Sequence, residues 1–220
     1  MKKLLIVLHE EQTSGGSTLA WANSRNISLE MWHAFREPKV PEISADMGVL
    51  ICGGSMDTYE DDKHPWLKIE KKFIAELVQH KIKTFGICLG CQLLAESLGS
   101  RVFKNDKGWE IGFHPLKDAR GEMVPVFQWH QFTYTLPLNA ELVMRGDFCA
   151  HQAFKMGQHI FGTQFHPEST EEWIKNSATE VEPWHKGHVQ TERQILDGLS
   201  QQKDLQAWYF RQLDQFFLNK

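Results

Sequence analysis

Phe85-Gly86-Ile87-Cys88-Leu89-Gly90-Cys91-Gln92-Leu93-Leu94 reads as a short buried strand, a sharp turn with a cysteine at its apex, and the first turns of a helix. A thiol placed there stands above the end of a sheet and beside a helix N-terminus. The positive end of the helix dipole favours the thiolate, the nucleophilic form of cysteine. Far downstream, Phe165-His166-Pro167-Glu168 closes another strand-like run. A cysteine, a histidine and a carboxylate, each at a strand end, are the parts of a nucleophilic triad. Gly53-Gly54 breaks a third apolar run, Met47–Cys52. The ends of parallel strands are where such sheets place their binding crevice.

Working outward, strand and helix patterns alternate through the first half. Lys3–Leu8 is a continuous apolar run suited to a central parallel strand. Residues 14–24 follow a glycine turn and read as a helix, and Ile27–Ala34 alternates like a strand. Pro65–His80 carries Trp66, Ile69, Phe73, Ile74 and Leu77 at helical spacing, with Pro65 suited to a first turn. Thr84–Ile87 is the next strand, and residues 89–98 the next helix, closed by Gly99. This order predicts a mixed, mostly parallel sheet with helices on both faces.

The second half holds shorter strand-like pieces: Arg101–Lys104, Glu110–Leu116, Met123–Trp129, Leu142–Met144, Phe148–Lys155 and His159–Phe165. Ser169-Thr170-Glu171-Glu172 reads as a capping box that starts a helix after Glu168. Residues 177–187 read as a polar loop, and 188–199 and 203–218 as two further helices. The expected organisation is one α/β domain, with a core over residues 1–170 and a helical C-terminal extension over 171–220.

Composition narrows the classes. The 220 residues are 41% hydrophobic, enough for a sizeable core, and the formal net charge of −4 argues against a nucleic-acid groove. No segment is long and apolar enough to span a bilayer. The apolar run Leu4–Leu8 stops at His9-Glu10-Glu11, too soon for a signal-peptide core. Two of the four cysteines fall in predicted core strands, so a disulfide framework is not expected and a reducing, cytoplasmic location fits. The histidines are not paired at metal-ligand spacing, and neither a metal nor a cofactor is expected.

Cys88 would attack a carbonyl carbon. Leu89 N–H, first in its helix, and Gly54 N–H would hold the developing oxyanion. His166 would exchange the proton, and Glu168 would orient the imidazole.

Gly86-Ile87-Cys88-Leu89-Gly90-x-Gln92 with Phe165-His166-Pro167-Glu168 resembles the class I (triad) glutamine amidotransferase family. Leu50–Tyr59, Pro65-Trp66-Leu67, Trp109-Glu110-Ile111-Gly112 and Val126-Phe127-Gln128-Trp129-His130 sit where a free-standing subgroup, similar to the amidotransferase domain of GMP synthase, has similar blocks. The resemblance covers nearly the whole chain. It implies a flavodoxin-like α/β fold, a Cys88–His166–Glu168 triad and an oxyanion hole from Gly54 and Leu89. It also implies that Gly53, Gln92, His130, Gln131 and Phe132 border a glutamine substrate. The implied reaction is hydrolysis of the γ-amide through a γ-glutamyl thioester, releasing glutamate and ammonia. The subgroup often reads Trp-His-Gly-Asp, with the acid on the substrate α-amino group, where this chain reads Trp129-His130-Gln131-Phe132. The small subunit of carbamoyl-phosphate synthetase has an aromatic residue there. Cys91 is the second departure.

Three other readings stay open. Cys88-Leu89-Gly90-Cys91 has the spacing of a thioredoxin-like redox pair. The chain has neither a Gly-x-x-x-x-Gly-Lys loop nor a Ser-Gly-Gly-x-Asp nucleotide loop, so ammonia would pass to a synthetase partner or be released. Alternatively, the same thioester chemistry would serve a γ-glutamyl peptidase or amidase acting on larger γ-glutamyl compounds. Trp109 and Trp129 are expected at the pocket rim.

Overall fold

The fold is that of a computed structural model describing residues 1–219; Lys220, the last residue of the expected helical extension, lies outside the described residues. The first half runs β1 (Lys3–Leu8), α1 (Thr18–Ser24), β2 (Ser28–His33), β3 (Met47–Ile51), α2 (Trp66–Gln79), β4 (Lys83–Ile87) and α3 (Leu89–Ser97). The second half begins with β5 (Val102–Lys104), β6 (Trp109–Lys117), β7 (Met123–His130), β8 (Phe132–Tyr134), β9 (Glu141–Met144), β10 (Ala153–Met156) and β11 (Ile160–Thr163). It closes with α4 (Glu171–Ala178), β12 (Gly187–Val189), α5 (Glu192–Asp197) and α6 (Gln202–Leu213), followed by a wide helical turn over Asp214–Leu218.

Seven strands form the main sheet in the order β2-β1-β3-β4-β11-β10-β9. The pairings from β2 through β11 are parallel, and β10 and β9 add an antiparallel edge. The central strands are apolar on both faces because both faces are covered. In β1, Leu4, Ile6 and Leu8 enter one core layer while Leu5 and Val7 enter the other. The first layer also takes Trp21 of α1 and Leu205, Trp208, Tyr209 and Leu213 of α6. The second takes Leu67, Phe73, Ile74 and Leu77 of α2 with Leu93 and Leu94 of α3. The expected α/β class and mixed sheet are therefore present.

Two smaller sheets, β12-β6-β7 and β5-β8, accompany the main one. Here the local pattern misled at several boundaries. The helix expected over 188–199 begins as a strand, because β12 pairs in parallel with β6, Gly187 opposite Trp109. A Cβ on Gly187, at φ +136°, would meet the Trp109 carbonyl oxygen at 2.3 Å, so only glycine lets the segments meet. The helix starts at Glu192, where Thr191 and Gln194 form a reciprocal capping box. The box expected from Ser169 is displaced by one residue, since Thr170 caps α4 by accepting from Trp173 N–H at 3.2 Å. The run Phe148–Lys155 extends only from Ala153, because residues 146–152 fold back through Gly146 N–H to Cys149 O and Gln152 N–H to Met144 O. α1 begins at Thr18, four residues after the expected start, and α4 reaches Ala178, inside the expected loop.

Candidate active site

β4, β3 and β11 lie side by side, and the three sequence signals leave from their C-terminal ends. Cys88 occupies φ +50°, ψ −107°, a conformation rarely adopted by a residue with a side chain. Its neighbours make this turn possible. A Cβ on Gly86 would lie 2.5 Å from the Gly90 oxygen, and one on Gly90 would lie 2.2 Å from the Ile51 oxygen. Bare backbone on both sides of the cysteine lets α3 start directly against the sheet, as in a nucleophile elbow. Cys88 N–H donates to Thr163 O at 2.8 Å and Gly90 N–H to Cys52 O at 3.1 Å, which ties the elbow to both neighbouring strands.

His166 follows β11, fixed by its backbone N–H on Phe127 O at 2.8 Å. Its Nδ1 lies 2.9 Å from Glu168 Oε1. That leaves Nε2 as the ring nitrogen available to Cys88. The two side chains flank the same bare glycine: a Cβ on Gly53 would sit 2.9 Å from His166 Cε1 and 3.5 Å from Cys88 Cβ. Burial disfavours the charged imidazole, but the Glu168 carboxylate and the Cys88 sulfur beside it prevail and raise His166 to about 10. Trp173 of α4 covers the ring at a centroid distance of 5.0 Å. Ser17 N–H holds the Glu168 carbonyl at 2.8 Å.

A cleft of about 750 Å³ opens over these groups, with Cys88, Gly53, Gly54, Leu89 and His166 in its floor and Trp109, Trp129 and Trp173 in its wall. Gln92, His130, Gln131 and Phe132 also line it, so every sequence-predicted site residue reaches one cavity. Gly54 and Leu89 pack against each other, since a Cβ on Gly54 would meet Leu89 Cδ2 at 2.9 Å. Among the described residues, the N–H groups of Gly54 and Leu89 have no hydrogen-bond acceptor. His130 lies in the wall with both ring nitrogens turned to the protein, Nδ1 on Phe132 O at 2.9 Å and Nε2 on Gln128 Oε1 at 3.0 Å. Phe132 lies tilted beside Tyr59, with Lys104 Nζ 5.6 Å from its ring centre.

Sequence reasoning missed Gln164. It is fully buried, and its Nε2 reaches the Cys88 sulfur at 3.8 Å while its Oε1 accepts from Gln92 at 3.2 Å. The signal was a glutamine inside the apolar run Ile160–Phe165, a polar group that needs buried partners.

Cys91 belongs to the opposite layer from Cys88, packed beside Phe154 and Tyr134. Burial pushes its thiol well above the ordinary range. Cys88 and Cys91 thus fall in different core layers, and both are free thiols. Glu110, His130 and Cys149 bring three possible metal-ligand atoms within 4.8 Å of one another. Protein groups already fill that cluster: Gln152 donates to Glu110 at 2.7 Å, Gln128 meets His130, and the Cys149 thiol donates to Thr133 at 3.2 Å. The cluster is accounted for as a hydrogen-bond network.

The model of the family "Glutamine amidotransferase class-I" matches residues 22–181. The glutamine amidotransferase-like protein YfeJ of Salmonella typhimurium is 25% identical over 95% of this chain and 91% of its own length. A carbamoyl phosphate synthase small chain from Bartonella tribocorum is 32% identical, over 44% of this chain and 26% of that protein. Among solved structures, a glutamine amidotransferase from Thermotoga maritima superposes with a TM-score of 0.85 at 26% identity, covering 99% of this chain and 98% of that one. One from Methylobacillus flagellatus shares the fold at a TM-score of 0.90 and 22% identity, covering 99% and 95%.

Proposed function

The chain belongs to the class-I glutamine amidotransferase family, and from that premise we propose that it hydrolyses the γ-amide of glutamine through a thioester on Cys88. The observation that carries this reading is a cysteine on a strained elbow beside an imidazole whose Nδ1 is held by a carboxylate at 2.9 Å.

In the first half-reaction the Cys88 sulfur bonds to the amide carbon, and the carbonyl oxygen becomes an oxyanion facing Gly54 and Leu89 N–H. Collapse breaks the carbon–nitrogen bond. The proton that began on the thiol passes through His166 to the nitrogen, and ammonia leaves. In the second half, water adds to the thioester while His166 takes its proton. The carbon–sulfur bond then breaks, the sulfur regains that proton, and glutamate departs. Glu168 keeps Nδ1 protonated and stabilises the imidazolium formed in each half. Gln164, donating to the sulfur, holds it in line.

The cleft supports a second reading. At about 750 Å³ it falls within the range of about 300–1,000 Å³ typical of sites for larger ligands and exceeds what glutamine alone would fill. The same thioester step would then release a larger amine from a γ-glutamyl amide. A synthetase that takes up the ammonia is the third use of this chemistry, in keeping with the carbamoyl phosphate synthase small chain among the relatives.

Glutamate release from glutamine and from a graded set of γ-glutamyl amides separates these readings. Release from glutamine supports the first, and release from the larger amides alone selects the second. Turnover that starts only with an added synthetase selects the third. Glutamate release that persists in Cys88→Ala would refute the nucleophile.

A further inference from the structure

Behind the cleft, His9 and Glu70 form a pair that the reaction above does not use. His9 stands just beyond β1, and Glu70 points inward from α2; both side chains have 0% exposure. His9 Nε2 meets Glu70 Oε1 at 2.9 Å, and His9 Nδ1 meets the Gly53 carbonyl oxygen at 2.9 Å. The ring stacks on Trp66 at 5.7 Å. The second oxygen of Glu70 is buried without a partner. A buried ion pair contributes little net stability compared with apolar residues of the same size, so holding the fold together accounts poorly for this one.

Gly53 C=O and Gly54 N–H belong to one peptide plane, and no peptide bond in the described chain is cis. In a trans peptide these two groups point in opposite directions. His9 grips the oxygen from the buried side, so the N–H is turned toward the cleft that Gly53, Gly54 and Cys88 line together. Gly54 is closely confined: a Cβ there would meet Met56 Sδ at 2.7 Å and His9 Cβ at 3.1 Å.

We propose that His9, held by Glu70, is a positioning residue that clamps the Gly53 carbonyl and thereby aims the Gly54 N–H at the oxyanion formed on Cys88. This rests on the role given to Gly54 in the proposed reaction. The hydrogen-bond partners suit a charged ring. A carbonyl oxygen and an ionised carboxylate can only accept, so opposite that pair both ring nitrogens donate, as in an imidazolium. Burial opposes that charge, but Glu70 outweighs it and raises the histidine. A cation on the carbonyl oxygen draws electron density from the peptide and makes the opposite N–H a stronger donor.

Two substitutions isolate the clamp. His9→Phe keeps a ring against Trp66 and removes the donor; His9→Asn keeps an N–H near the Nδ1 position and gives up Glu70. His9→Phe is expected to lower kcat about 10- to 100-fold, less than the roughly 100- to 1,000-fold cost of deleting an oxyanion donor outright, with KM within about twofold. Inhibition by glutamate γ-semialdehyde, whose adduct on the sulfur places an oxygen where the oxyanion forms, should weaken by the same factor. His9→Asn should recover most of both. Wild-type kcat and aldehyde affinity in His9→Phe would overturn the proposal, as would a rise in KM with kcat unchanged. Should His9→Phe fail to fold by circular dichroism, Glu70→Gln carries the test: a severalfold fall in kcat supports the clamp and an unchanged kcat overturns it. Wild-type protein that hydrolyses no γ-glutamyl amide removes the reaction and this role together, an outcome the wild-type control sets apart.

Discussion

Cys88, His166 and Glu168 were legible in the sequence because each is announced locally, by a glycine-flanked turn or by a His-Pro-Glu run at a strand end. Gln164, His9 and Glu70 were not. Their partners lie 76, 44 and 61 residues away, so their meaning depends on which strands become neighbours. The charge on His166 has a consequence for stability that can be measured at this scale. With its folded value near 10 and an unfolded value near 6.5, the native state holds a proton that the unfolded chain releases between those limits. The stabilisation is fully present below the unfolded value and disappears as pH rises toward 10. Urea midpoints of wild type and His166→Gln should therefore differ most at or below about pH 6.5 and converge at high pH. A gap that widens with pH would contradict the ion pair.

At the scale of elements, the central strands were readable because continuous apolar runs such as Leu4–Leu8 and Met47–Cys52 admit few other fates. The errors fell where a tertiary pairing overrode a local pattern. Residues 188–199 read as one helix, yet β6 recruits Gly187–Val189 as a strand before Thr191 restarts the chain as a helix. The elbow itself joins two elements, and its weak point is the contact of Gly90 with β3. Gly90→Ala forces a methyl group to within 2.2 Å of the Ile51 carbonyl oxygen, and backbone at that position cannot step aside cheaply. The expected cost is about 1–3 kcal/mol or more by chemical denaturation, accompanied by loss of reactivity at Cys88. Unchanged stability would show that the helix can move away from the strand without penalty.

Over the whole molecule, the sequence foretold a mixed sheet with helices on both faces, and the two smaller sheets it could not. Short strands such as β5 and β12, three residues each, carry no periodicity of their own. The last helix is part of the same structure. Trp208, Tyr209 and Leu213 pack in the layer that holds Leu4, Ile6 and Phe85, and Tyr209 hydroxyl meets Thr18 hydroxyl at 2.9 Å. Arg25 and the Trp21 indole both converge on Asp214. Removing the Trp208 side chain, which is 1% exposed, should cost about 3–5 kcal/mol and lower the melting temperature of the whole protein in one transition. A separate early transition, with the rest of the fold persisting, would mean that the terminal helix is an independent appendage.

The central claim is that one sulfur carries the acyl group. Mass spectrometry of intact protein, acid-quenched during turnover of glutamine or of the best γ-glutamyl amide, tests it directly. The wild-type protein should carry a single γ-glutamyl group that is lost on treatment with hydroxylamine, and Cys88→Ala should carry none. Acylation that survives in Cys88→Ala, or that maps to Cys52, Cys91 or Cys149, would contradict the account.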